Sequence, residues 1–146
     1  MISNQKIIDE VNRLIVEKYP SYPVHIDKVP DNFVRPSFFI EFVIDDSQTV
    51  NKSTTFEILL LNAIYFGSED EYGITNTIEK QEVIRKLKSI FRLGFIIVDG
   101  RAIPVKVRSK TVDDEIAIEI TFEYYEQRTD IAIETELMQE VDIKNN

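Results

Sequence analysis

Cysteine is absent from all 146 residues. That excludes a disulfide framework, a thiolate zinc site and a cysteine nucleophile, and it suits assembly in a reducing cytoplasm. Glycine is scarce, with four in the chain, and none lies in a phosphate-cradling loop or a G-x-S-x-G element. The single histidine, His25, stands beside an apolar stretch with no base partner or orienting group at hand, so it reads as structural. No apolar run approaches the roughly eighteen residues needed to span a bilayer. The first residues, Met-Ile-Ser-Asn-Gln-Lys, lack the basic-then-apolar layout of a secretory leader, and none is expected. Positive charge is also in deficit: 17 Lys and Arg against 26 Asp and Glu give a net −9. A surface that wraps nucleic acid needs the opposite balance, whereas solubility is the ordinary use of a negative one. Lys80, Arg85, Lys86, Lys88 and Arg92, and Arg101, Lys106, Arg108 and Lys110, read as solvated faces. Asp45-Asp46 and Asp113-Asp114 read as turn carboxylates, since a metal or an acid/base role would need a third group that the sequence does not nominate. Neither an active site nor a cofactor or metal site is expected.

What is present is periodic. Residues 4–18 place Ile7, Ile8, Val11, Leu14 and Ile15 on one stripe of a helix, with Ser3 or Asn4 as cap and Tyr19-Pro20 as stop. Residues 37–45 alternate as a strand: Phe38, Ile40, Phe42 and Ile44 on one side, Phe39, Glu41, Val43 and Asp45 on the other. Asp45 to Ser53 then read as a polar turn region. Residues 54–66 form a strand apolar on both faces, with Leu59, Leu61, Ala63 and Tyr65 backing Phe56, Ile58, Leu60, Ile64 and Phe66. Such a strand is buried on both sides, by helices or by a neighbouring subunit. Asn76, with Glu79 in capping-box position, opens a second helix whose stripe is Ile78, Val83, Ile84, Leu87, Ile90 and Phe91.

Asp99-Gly100 between two apolar runs signals a two-residue hairpin, and Pro104 in the second run suggests an edge or a bulge. Residues 115–125 alternate again, Ile116, Ile118, Ile120, Phe122 and Tyr124 against Glu115, Glu119 and Glu123. The expected architecture is therefore α+β: a mixed, mostly antiparallel sheet with two amphipathic helices packed on one face. Residues 1–127 read as one domain and residues 128–146 as a C-terminal arm.

Between the first helix and the aromatic strand runs Val-His-Ile-Asp-Lys-Val-Pro-Asp-Asn-Phe-Val-Arg-Pro-Ser-Phe-Phe-Ile, residues 24–40. Pro30 and Pro36 hold Val29 and Arg35 extended. This helix, short strand and Val-Pro-x-x-Phe-x-x-Pro-Ser-Phe-Phe-Ile arrangement resembles the tail terminators of contractile phage tails and phage-tail-like bacteriocins. The resemblance implies a structural assembly protein in the virion or tail-like particle, built in the bacterial cytoplasm. Such a protein forms a ring, six-fold in the family, that caps the tail tube, ends its polymerisation and offers a docking surface to sheath or neck. Alternatives are a head–tail joining or tail-completion protein of the neck, and a small ligand- or peptide-binding α+β domain.

The candidate contact residues follow from the same reading. Phe33, on a loop stiffened by two prolines, is suited to a partner contact or to folding back on its own sheet. Leu59, Leu61 and Tyr65 lie under a helix or under a neighbour. Ile131 and Ile133, in the arm, suit a strand added to an exposed edge. Glu115, Glu119 and Glu123 form either a plain solvent face or an acidic row facing a ring lumen, where it would repel DNA.

Overall fold

The computed structural model describes residues 2–127. Helices α1 (Asn4–Lys18) and α2 (Thr77–Ile90) cover one face of a six-stranded sheet. Its strands are β1 (Val24–Ile26), β2 (Ser37–Thr49), β3 (Thr54–Phe66), β4 (Phe95–Val98), β5 (Arg101–Val112) and β6 (Glu115–Gln127). They lie side by side in the order β1-β2-β3-β6-β5-β4. β1 runs parallel to β2 and all other neighbours are antiparallel. The mixed α+β fold is the one expected.

Helix α1 begins where Ser3 accepts the Lys6 amide, and it buries Ile7, Ile8, Val11 and Ile15 completely. Removing such a side chain from water contributes about 1.5–3 kcal/mol. Helix α2 is capped by Asn76, whose Oδ1 accepts from the amides of Ile78 and Glu79. The second half of the expected capping box is replaced by a longer reach. The Glu79 carboxylate accepts the Tyr65 hydroxyl at 2.6 Å and the Ser68 amide at 3.4 Å, which ties the start of α2 to the end of β3. Burial first, and this bond second, push the Tyr65 phenol far up from its ordinary range. Ile78 departs from the expected stripe: it is 71% exposed, because α2 meets the sheet through Val83, Ile84 and Leu87 in its later turns.

Two features of β2 differ from expectation. Its register against β3 passes from Phe42↔Leu61 to Ile44↔Leu60, so Val43 is an extra residue and the strand carries a bulge. Ile44 consequently faces the side opposite Phe42, not the same side. The strand also continues through Asp45–Gln48, expected as a turn, because β3 is equally long and pairs with all of it. The turn is confined to residues 50–53, where the Thr54 carbonyl accepts the amides of Val50 and Asn51.

The hairpins further on are as the sequence indicates. Asp99 and Gly100 have φ of 51° and 76°, and Asp113 and Asp114 have φ of 49° and 65°; two positive φ angles match the twist of the flanking strands. Pro104 sits where β5 changes partner: Arg101–Pro104 pair with β4, and Val105–Val112 with β6. A residue without an amide hydrogen is tolerated at that changeover.

Gly67, just past β3, is fixed by contact. A Cβ there would lie 2.4 Å from Thr75 Cγ2 and 2.9 Å from the Tyr65 ring. Both neighbours are buried, so neither can move away freely. Gly67→Ala is expected to lower stability by about 1–3 kcal/mol, read as a lower denaturation midpoint with an unchanged m-value. A midpoint equal to that of the parent would show that this corner is looser than the contacts indicate.

Candidate functional site

The helices cover one face of the sheet and leave the other without a layer among the described residues. Register gives the composition of that open face. Phe39, Ile64 and Ala117 form one cross-strand row, Glu41, Asn62 and Glu119 the next, then Ile44, Leu60 and Thr121, then Asp46, Ile58 and Glu123, and lastly Gln48, Phe56 and Tyr125. Apolar rows thus alternate with charged ones.

The expected contact residues fall in different places. Leu59, Leu61 and Tyr65 are 1%, 0% and 1% exposed, in one core with Ile7, Ile15 and Leu87. The chain's own helices cover them, which is the first of the two coverings the sequence leaves open. Phe33 folds over the open face: its ring lies 4.7 Å from that of Phe66. The Arg35 guanidinium stands 5.1 Å above Phe33 and 5.5 Å above Phe66. It also donates to the Gly67 carbonyl at 3.1 Å and pairs with Glu69 at 2.8 Å and Glu115 at 3.2 Å. An arginine is suited to this because one planar group can stack and donate at once. The loop between β1 and β2 is thereby pinned across one end of the sheet. Ile131 and Ile133 lie outside the described residues.

The carboxylate row is largely neutralised. Glu115 pairs with Arg35, and Glu119, only 8% exposed, pairs with Arg108 at 2.8 Å and Lys110 at 3.3 Å. The hydrogen bond from Arg108 is the main cause that holds the Glu119 carboxyl below its ordinary value, with burial opposing it. Glu123, by contrast, is exposed. Arg35, Arg108 and Lys110 were not singled out from sequence as partners. Counting back along the hairpin from Asp113-Asp114 does place Arg108 opposite Glu119, so that pairing was readable. The Arg35 contacts span distant segments and left no local signal.

No group of three or more metal-ligating side chains assembles among the described residues. A cleft of about 500 Å³ at the start of α2 is walled by Glu69, Asp70, Asn76 and Glu79 with Ser68 and Thr75. That wall brings no histidine or lysine to its hydroxyls. Among the described residues no helix is long and apolar enough to cross a membrane.

Two outcomes are expected here. Phe33 is half-buried on one ring partner, so Phe33→Ala should cost about 1–2 kcal/mol, short of the 3 or more of an enclosed phenylalanine; thermal denaturation measures it, and a loss of 3 or more would place Phe33 in the core. Glu119 has a lowered folded pKa, so its contribution is complete above the ordinary carboxylate value and is lost as pH falls through the folded one. The partner Arg108 is well exposed, and Glu119→Gln should therefore cost only about 1 kcal/mol at neutral pH. That deficit should shrink towards zero below about pH 4; a deficit constant with pH would mean that the ion pair contributes nothing.

Comparison with known proteins adds a family. A family profile described as "Phage tail terminator protein" matches residues 6–134. No curated protein matches the chain. One solved structure aligns over 88% of this chain and 97% of its own at 13% identity, with a TM-score of 0.45, too low to bear on the assignment. Tail terminators are structural parts of the virion that act in tail assembly together with other tail proteins. On a match over this much of its length, the chain belongs to the phage tail terminator family.

Proposed function

We propose that the chain closes the tail tube. Copies form a ring, six-fold by analogy with the family, that seats on the last tube ring, stops polymerisation and presents a docking surface to the sheath or neck of a contractile phage tail or tail-like bacteriocin. Assembly takes place in the bacterial cytoplasm. The observation that carries this beyond the family match is the asymmetry of the sheet. The chain's own helices cover the middle of one face, whereas the other carries no helix among the described residues. Its centre, at Asn62, Ile64 and Ala117, is buried, and its outer part, at Asp46 and Glu123, is exposed, as are residues 42–49 of the β2 edge. A capping ring needs two distinct kinds of surface. A heterologous side-to-side contact builds the ring, and one axial face must fit the tube while the opposite one must not.

The candidate residues take roles within this reading. Phe33 and its loop offer a rigid ridge at the end of the open face, a form that loses little entropy on binding. Leu59, Leu61 and Tyr65 support the sheet from beneath and touch no partner directly. As a lumen lining, the row Glu115, Glu119 and Glu123 would present one uncompensated carboxylate, that of Glu123. Residues 128–146 would serve as an arm that adds a strand through Ile131 and Ile133 to a neighbouring edge.

Size-exclusion chromatography with light scattering should give a ring-sized oligomer, and addition of the chain to polymerising tube subunits should shorten the tubes. A monomer that leaves tube length unchanged at all concentrations would retire the proposal. A chain ending at Gln127 should keep its stability and still form rings, yet attach sheath or neck less well. Loss of folding would instead assign residues 128–146 to the core.

A further inference from the structure

The sheet ends in two incomplete edges of opposite charge. β1 pairs with β2 only at Phe38–Ile40, so residues 41–49 have no strand on their outer side among the described residues. β4 pairs with β5 only as far as Pro104, and the Val105 amide still donates to the Gly94 carbonyl, so residues 106–112 have no strand on their outer side among the described residues. Long, regular edges with free backbone donors and acceptors recruit another strand unless they are blunted. Among the described residues neither of these is short or covered, and the charges on each, with the bulge at Val43, restrict which strand can be added.

Side chains distinguish the two. The β5 edge carries Lys106, Arg108 and Lys110 at alternate positions, all on the open face of the sheet. The β2 edge carries Glu41 and Asp46 on that same face and Asp45 on the other. Lys106, Arg108, Asp45 and Asp46 are exposed. Between the acidic positions, Phe42, Val43 and Ile44 are 38%, 45% and 44% exposed, apolar surface that a neighbouring strand would remove from water. Arg108 and Lys110 are already paired with Glu119 of the same chain, so the repulsion between two β5 edges comes chiefly from Lys106, and that between two β2 edges from Asp45 and Asp46. Only the unlike combination places opposite charges across the strands.

We propose that the β5 edge of one copy pairs with the β2 edge of a second copy, so that the sheet continues from subunit to subunit. The contact is head-to-tail, the type that closes into a ring. It rests on the ring reading above and specifies the surface that builds the ring.

The test uses the full chain, which has no native cysteine. Ser47→Cys marks the β2 edge and Ser109→Cys the β5 edge; both serines are exposed. An equimolar mixture of the two variants treated with a short bismaleimide should give a covalent dimer, and neither variant alone should do so. Lys106→Glu and Asp46→Lys should each raise the dissociation constant of the oligomer about tenfold, with circular dichroism unchanged. Lys88→Glu, on the outer side of α2, should leave it unchanged. Rings that form without the covalent dimer of the mixed variants, or that resist both charge reversals, would overturn the edge pairing and leave the ring intact. The same holds for dimers of Ser109→Cys with itself. Cross-linking of Ser109→Cys to an Ile133→Cys chain in place of the Ser47→Cys chain would name the C-terminal segment as the occupant and overturn the proposal too. A chain monomeric at every concentration would remove both the pairing and the ring.

Discussion

Strand β3 lies at the centre of the sheet, with β2 on one side and β6 on the other, and both of its faces are apolar. One chain with two helices can place only one helical layer on it. That layer takes Leu59, Leu61, Ala63 and Tyr65, all fully or nearly fully buried. The opposite row has to be screened piecemeal. Phe33 and Arg35 fold over Phe66 at one end, and Tyr125 packs on Phe56 in a tilted pair at the other, with ring centroids 5.0 Å apart. Between them Ile58 and Leu60 are left half-buried. Much of what is distinctive in the remaining structure answers this requirement: the pinned loop, the charged row and the long bulged hairpin all border the face that the helices do not reach.

The charged row across that face has a physical role of its own. Glu119 is nearly enclosed, held by Arg108 and Lys110, and beside it Asn62 donates to Glu41 at 3.3 Å while its own Oδ1 stays buried without a partner. Such a row contributes little net stability, because desolvation offsets most of the attraction. It does penalise a slip in register. Moving β6 by one residue would turn Glu119 into the helix-facing core and Ile118 or Ile120 out of it. In strand β3 only Asn62 contributes to that discrimination at the centre of the sheet, and the polar positions of its neighbours supply the rest. The same holds at the far end of β6, where Glu126, nearly buried, accepts from Arg101 and from the Ile2 amide. This inward carboxylate continues the alternation just past residue 125, where the sequence pattern stops.

Legibility in the sequence followed the range of the interaction. The two helices, the Asp99-Gly100 hairpin, the Asn76 cap and the alternation of β6 were readable because propensity, period and turn chemistry act within a few residues. The bulge at Val43 was not, since Phe42, Val43 and Ile44 are all apolar and alternation continues unbroken in either phase. Asp45 to Gln48 read as a turn on composition, but a long antiparallel partner outweighed local preference. Ile78 fitted the helical period and yet points away, because period alone does not say where along its length a helix first meets the sheet. Family membership came from a short proline-and-aromatic segment. The pinning of that segment by Arg35, which reaches Glu69 and Glu115 across the fold, had no local trace.

The edges of the sheet also bear on why head-to-tail association would close and not run on as a fibre. Adjacent strands rotate by roughly 20–25° relative to one another, and a copy added edge to edge inherits that rotation with whatever bend the edge strand carries. In this chain the bend is set at a defined place. The bulge at Val43 lies where β1 stops pairing and the free edge of β2 begins, and bulges increase local twist and redirect the strand beyond them. The outer half of β2, still paired with β3, therefore takes a twist set by the chain itself before any partner arrives. The tilted Phe56–Tyr125 pair ties the β3 strand of the same hairpin to β6. A contact repeated at a fixed angle closes only where that rotation divides a full turn without a rise, and otherwise winds into a helix. Under the proposed pairing, a flat edge of the same charge would favour indefinite growth over closure.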